Sequence, residues 1–227
     1  MTEPTPRRAV LVAALAVAAA ATAATVPGGS ASAATPAAPR VPGPTVDNRF
    51  WYSYAHWLAG THRGTTAVGG SRPGLEIAAA VGRTEYADPH TGRKATWEYA
   101  TWTSPVHRSG VPATEAIASW NARTPAGTWI QIELRGTYTD GTTTPWYVMG
   151  RWASGDGDIR RTSVDGQTDG RSTVWTDTLA LDSPAAAAGL RIAAWQLRLT
   201  HHPRPAPAPP APPRERATRG EGARTRA

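Results

Sequence analysis

Apolar and polar positions alternate with a period of two along much of the chain, a rhythm that predicts strands rather than helices. Leu75, Ile77, Ala79 and Val81 mark one such segment, and Trp97, Tyr99 and Trp102 another, with Thr114 to Trp120 expected as a third. The clearest runs from Trp129 to Tyr138, where Ile130, Ile132 and Leu134 alternate with Gln131, Glu133 and Arg135. Asp140-Gly141 follows it; both residues tolerate positive φ, so the pair predicts a tight hairpin into Trp146 to Trp152. Further strands are expected at Thr173 to Leu181 and at Leu190 to Leu199. In the last, the apolar phase moves from Leu190 and Ile192 to Trp195, Leu197 and Leu199, which one extra residue near Ala193, a β-bulge, would produce. No stretch beyond the amino terminus repeats with a helical period. About seven or eight short strands broken by Gly/Asp turns argue for an all-β fold, a jelly-roll-like antiparallel β-sandwich.

Both ends of the chain depart from this pattern. Arg7 and Arg8 precede an apolar run from Ala9 to Ala24, and Ala31-Ser32-Ala33 follows. That is the order of a cleavable export signal, with cut expected after Ala33. The run is short and alanine-heavy for a bilayer span, which needs about 20 strongly apolar residues. Arg7-Arg8 also fits a twin-arginine element, although Pro6 stands where Ser or Thr is usual, so general secretory and twin-arginine export both remain open. A Pro/Ala linker spans 34–45, one domain 46–200, and a tail 201–227 in which seven of the eleven residues from Pro203 to Pro213 are proline. Such a tail favours extended polyproline II and cannot form a packed core. Lacking a lipobox cysteine and a second apolar span, the product is expected to be secreted and extracellular without a stable membrane anchor.

Charge and composition remove several function classes. The chain holds 23 Arg and a single Lys, Lys94, with a formal net charge of +7. The leader (1–33) contributes +1 and the tail (201–227) +4, leaving +2 on the remaining 34–200 segment. A nucleic-acid binder concentrates basic charge on a folded face, so no nucleic-acid partner is expected. No cysteine is present, which excludes a thiol nucleophile and any cysteine-ligated metal. Nucleophile-elbow, H-E-x-x-H and P-loop motifs are also missing, and Glu98, Glu115 and Glu133 fall in separate predicted strands instead of forming a carboxylate pair. No catalytic residue and no cofactor are assigned.

Two candidate sites are left. Asp156 and Asp158 sit in a Gly-rich loop with Asp165 and Asp169, and calcium favours oxygen ligands of this kind. The loop lacks the EF-hand pattern, and turn-forming Asp-Gly pairs account for it more simply, so Asp156 and Asp158 are weak calcium candidates. The stronger signal is aromatic: all ten Trp lie between Trp51 and Trp195. Tryptophan faces recognise sugar rings, while polar neighbours read the hydroxyls; large aromatics also fill the cores of small sandwiches. A two-residue turn at Asp140-Gly141 sets 139 opposite 142. Tyr147 and Met149 then share the core face with Ile130, Ile132 and Leu134. The opposite face carries Trp129 beside Trp152 and Arg135 beside Trp146, with Gln131 between. This platform of Trp129, Gln131, Arg135, Trp146 and Trp152 suits an extracellular polysaccharide or cell-wall glycan. An odd loop length would reverse the faces and bury Trp146 and Trp152.

Four segments carry a resemblance: Trp102-Thr103-Ser104-Pro105, ASWNARTPAGTWIQIELRG (Ala118 to Gly136), WYVMGRWASGD (Trp146 to Asp156) and STVWTDTLAL (Ser172 to Leu181). They are similar to secreted actinobacterial proteins in which an amino-terminal β-sandwich precedes a papain-fold cysteine peptidase of the double-glycine-peptidase-like type. The resemblance covers about Asp47 to Thr200. It implies a sandwich fold, export and an accessory role, but transfers no catalytic residue, because the peptidase's Cys, His and Asp or Asn would follow the sandwich. Two expectations result. One is a secreted, non-catalytic module that binds a glycan or serves only as a folding and spacing unit. The other is a truncated or frameshifted peptidase, since the Pro/Arg tail after His201 resembles GC-rich sequence read in the wrong frame.

Overall fold

The computed structural model describes residues 46–205 and the backbone of residues 11–18. Arg7, Arg8, Ala31 and Ala33 of the leader, and the tail from 206 onward, lie outside the described residues. Fourteen strands and two five-residue helices make up the described chain, and every strand ladder is antiparallel. Among the described residues no helix is long and apolar enough to cross a membrane.

One sheet has the order β11-β10-β14-β7-β3, built from β11 (Tyr147–Trp152), β10 (Thr128–Tyr138), β14 (Ile192–Pro203), β7 (Lys94–Thr103) and β3 (Thr61–Arg63). In addition, β6 (Gly82–Ala87) pairs with β7, and β8 (His107–Ala113) with β14. The second sheet has the order β12-β13-β9-β1-β2, from β12 (Ser172–Trp175), β13 (Thr178–Leu181), β9 (Glu115–Ala122), β1 (Leu11–Ala18) and β2 (Val46–Trp51). A small hairpin of β4 (Thr65–Val68) and β5 (Gly74–Ile77) stands apart, and the helices are α1 (Tyr54–Leu58) and α2 (Ser183–Ala187).

Alternation places the apolar residues where the sheets meet. Ile130, Ile132 and Leu134 of β10 and Trp195, Leu197 and Leu199 of β14 join Ala116 and Ala118 of β9, Val174 of β12 and Leu179 of β13 in one core. Four indoles cap that core. Trp102 meets Trp51 edge to face at 5.9 Å and Trp57 at 5.1 Å, while Trp51 meets Trp195 at 5.6 Å. Burying an indole removes on the order of 200 Å² from water, roughly 5 kcal/mol before the cost of ordering it. The Trp102 Nε1–H donates to the Trp57 carbonyl at 2.8 Å, so burial leaves that donor satisfied. Gly60 makes the approach possible: a Cβ there would lie 2.1 Å from Trp102 Nε1.

The all-β expectation holds, and the bulge at Ala193 is present: Thr137 pairs with Ala194 and Tyr138 with Ile192, leaving Ala193 unpaired on β14. Other expectations need correction. The alternation from Leu75 to Val81 is strand only as far as Ile77, because the Ala78 and Ala79 N–H groups both turn to donate to the Gly64 carbonyl, at 2.9 and 3.0 Å. Thr173 to Leu181 is a hairpin rather than one strand, with Thr176 at φ 56° in its turn. The last strand runs to Pro203, four residues past the Leu199 expected as its end, and buries His201 and His202.

Those histidines have a pH consequence. His201 pairs with Ile130 and Ala100 in the ladder, and the His202 ring stacks on Trp129 at 3.8 Å and 12°. Neither ring has a hydrogen-bond partner among the described residues. Burial pulls the pKa of His201 down to about 4; for His202, burial first and then the neighbouring charges of His201 and Arg151 pull it to about 3. Both are therefore neutral in the native state, while the unfolded chain protonates them below about 6.5. Their neutral form favours the fold fully above that pH, and this contribution is lost as pH falls toward 4. Urea unfolding followed from pH 8 to pH 4 should show constant stability above pH 7, then a loss on the order of 3 kcal/mol per histidine. His202→Phe, which keeps the stack, should flatten the slope.

Candidate functional site

The hairpin that carries the expected platform starts from a longer turn. Tyr138 N–H donates to the Thr142 carbonyl and Gly141, at φ 86°, closes back on Tyr138, so the loop has three residues rather than two. Register then slips twice more. Gly136 and Thr144 exchange bonds, Leu134 pairs with Tyr147, and past an unpaired Met149 Ile132 pairs with Gly150 and Ile130 with Trp152. Tyr147 and Met149 are in the core as expected, but the Met149 bulge turns Trp152 to the core side.

The platform is thus divided. Trp129 is on the outer face but buried, between Tyr86 at 4.9 Å and His202, in a satellite core with Trp97, Ala153 and Ile159. Trp152 packs against the main core from β11. Gln131, Arg135 and Trp146 share the outer face. The Trp146 ring is covered by two guanidinium groups, Arg198 at 4.5 Å and Arg135 at 4.7 Å.

Cross-strand pairing orders the polar side chains of this face into rows. Arg63, Thr101, Thr200, Gln131 and Arg151 lie level across five strands, and Thr61, Thr103, Arg198 and Glu133 form the next row. A groove of about 590 Å³ follows them. Most of its charge is internally matched. Arg198 grips the buried Glu133 carboxylate with two bonds of 2.7 and 2.5 Å, Arg151 donates to Gln131 at 2.9 Å, and, beside them, Arg135 donates to Gln196 at 2.6 Å.

A larger cleft, of about 800 Å³, opens where β9 and β11 end against the β4–β5 turn. Trp120 and Trp152, both half-buried, form its floor, and Arg72, Glu76, Asn121 and Arg123 are among its walls. The Arg72, Asn121 and Arg123 side chains are exposed and make no hydrogen bond or ion pair among the described residues. One predicted aromatic, Trp152, therefore does line a cleft, with companions that the hairpin register did not point to. Trp120 and its polar neighbours were visible as the end of the Thr114 to Trp120 strand, yet nothing in the local pattern ties β9 to β11. Gly150 is what lets them meet, since a Cβ there would come within 2.6 Å of the Trp120 ring.

The aspartates of the Gly-rich loop are not gathered. Asp158 accepts from Gly127 N–H at 2.5 Å and from Arg204, Asp165 accepts from Thr176 N–H, and Asp156 is exposed. Asp169 accepts from the Tyr138 hydroxyl at 2.8 Å and from the N–H groups of Arg171 and Ser172. Burial alone would raise the Asp169 pKa, but these bonds outweigh it and hold the carboxyl below its ordinary value. Asp158, Asp165 and Asp169 each fasten a separate turn, and among the described residues no three His, Asp or Glu side chains come together as metal ligands.

The sequence model of the peptidase C39 N-terminal domain matches residues 47–213. The chain belongs to that family. No curated protein and no solved structure matches it. The matched span of this C39 N-terminal domain takes in both sheets apart from β1, the histidine pair of β14 and the start of the proline-rich stretch. It is the amino-terminal part of a peptidase family and holds no cysteine of its own. Neither the polar groove nor the Trp120/Trp152 cleft coincides with a nucleophile and base in contact.

The glycine under Trp120 supplies a test of the cleft geometry. Gly150→Ala should destabilise the domain by about 1–3 kcal/mol in urea unfolding and change the near-ultraviolet circular dichroism, as the indole is forced off its seat. Gly155→Ala, where a Cβ meets nothing within 4 Å, should change neither.

Proposed function

We propose that this C39 N-terminal domain is an exported, non-catalytic binding module that holds an extracellular or cell-wall glycan in the Trp120/Trp152 cleft. The carrying observation is the pairing of two half-buried indoles with unengaged Arg72, Asn121 and Arg123 around one opening. Indole faces suit the apolar face of a pyranose, and planar amide and guanidinium groups suit its hydroxyls. The polar groove supports the reading less well, because its cations are already engaged by Glu133, Gln131 and Gln196. Export rests on the leader sequence, and the accessory role on membership of a peptidase family by its amino-terminal domain.

Retention of the full chain on insoluble polysaccharides, with peptidoglycan, chitin and cellulose compared, tests this reading. Arg123→Ala and Asn121→Ala lie at exposed positions and should weaken retention about tenfold, some 1.4 kcal/mol, with the unfolding midpoint unchanged. Unchanged retention, or no retention of the native chain on any of the three, would remove the glycan from the proposal. The family name favours one second reading, a front half whose peptidase is encoded downstream in another frame. Translation of the following DNA in all frames decides it by the presence or absence of a Cys/His peptidase domain.

A further inference from the structure

The second sheet is continuous as far as β2 only because Leu11–Ala18 lies between β9 and β2. Six residues of β1 pair with β2, from Ala13 opposite Trp51 to Ala18 opposite Val46. Six pair with β9 on the other side, from Leu11 opposite Ala122 to Ala16 opposite Ile117. In the strand order β2 has no other neighbour. The same stretch reads in the sequence as the apolar part of a removable leader. One segment thus carries two assignments with opposite demands on it, an export signal that leaves and a central strand that stays.

The walls of the slot also have contacts of their own besides β1. Trp51 is fixed in the core by Trp102 and Trp195. Asp47 of β2 bonds His107 at 2.9 Å and the Gly110 N–H at 3.0 Å, both on the β8 side of the molecule. On the other side, β9 is paired with β13 and contributes Ala116 and Ala118 to the core. Withdrawal of β1 would leave two anchored strand edges one strand-width apart, each presenting unpaired N–H and C=O groups. A gap of that kind accepts a strand from elsewhere.

Register also defines what fits. Positions 11, 13 and 15 are level with the core-facing Ala122, Trp120 and Ala118 of β9, and position 13 with the buried Trp51. The sequence LVAALAVA puts Leu at 11 and 15 and Ala at 13, opposite the two indoles. On the other face of the sheet, Phe50 and Val46 of β2 are each 47% exposed and lie level with Ala14 and Ala18.

We propose that the gap between β2 and β9 is a strand-acceptor site whose resident donor is the chain's own Leu11–Ala18, and that withdrawing this leader strand opens the site to another extended strand of small aliphatic residues. The occupant joins antiparallel to both walls and is held by backbone hydrogen bonds.

The absence of cysteine makes the test direct. In the full chain, Ala16→Cys with Asn48→Cys bridges β1 to β2, and Ala14→Cys with Ser119→Cys bridges β1 to β9. Cα atoms of an antiparallel pair lie within disulfide reach. Ala18→Cys with Phe50→Cys, four residues out of register and so about 13 Å apart, is the control. Both in-register pairs should oxidise at least about tenfold faster than the control, giving an intramolecular bridge. Equal rates in folded protein, or covalent dimers in place of that bridge, overturn the assignment. For the acceptor function, the full chain carrying Ser119→Cys is offered a peptide of residues 10–19 with Ala14→Cys. With Ala13→Pro and Leu15→Pro unseating β1, the peptide should be captured, while the chain with native β1 should exclude it. Capture by neither chain, or equally by both, shows that no acceptor slot exists. Unchanged near-ultraviolet circular dichroism in the proline variant establishes that its core is intact.

Discussion

The contact on which this sandwich depends is that of Trp102 with its neighbours. Its indole lies edge to face against Trp51 and Trp57, and through Trp51 it reaches Trp195. That cluster draws in both sheets, since Trp102 and Trp195 belong to one and Trp51 to the other, and it ties helix α1 to them through Trp57. A domain with no disulfide has to draw its cohesion from burial of this kind. The Nε1–H of Trp102 itself is spent on the Trp57 carbonyl, and Gly60 leaves the room in which that bond is made.

With the interior so occupied by aromatics, the outward faces divide between packing and opportunity. The outer side of the larger sheet buries its own tryptophan, Trp129, beneath Tyr86 and His202, and engages its arginines with Glu133, Gln131 and Gln196. Polar side chains in that state are already solvated by one another, so a ligand would have to break contacts to make contacts. The Trp120/Trp152 cleft differs: among the described residues nothing engages the side chains of Arg72, Asn121 and Arg123. Family membership sets the frame for this difference: the chain carries the amino-terminal domain of a peptidase family.

Much of the fold was legible because alternation is a local property. The strand at β10, the hairpin after it and even the bulge at Ala193 follow from residues close together in the chain. What the pattern could not show was register over distance. A third residue in the turn, a further slip near Pro145 and the unpaired Met149 each move the hairpin by one position, and together they carry Trp152 to the core side while leaving Tyr147 and Met149 where alternation put them. Each shift is small in sequence and decisive in space, because one residue changes the face. The cleft was hidden for a related reason: β9 and β11 belong to different sheets, and only Gly150 lets Trp120 settle over the other strand. The short helices, with five residues each, are too brief to show a period.

The position of β14 bears on how the molecule comes to be folded. The last strand of the described chain is not an edge; it lies at the centre of its sheet, bonded to β10 along one side and to β7 and β8 along the other. A chain made from its amino end therefore cannot close this sheet until residue 203 is available, and the halves that β14 joins must wait as open edges. Its pairing with β7 spans about a hundred residues, the kind of long-range contact that slows folding. The consequence is kinetic: a polypeptide whose central strand comes last stays open and extended for longer before it becomes compact.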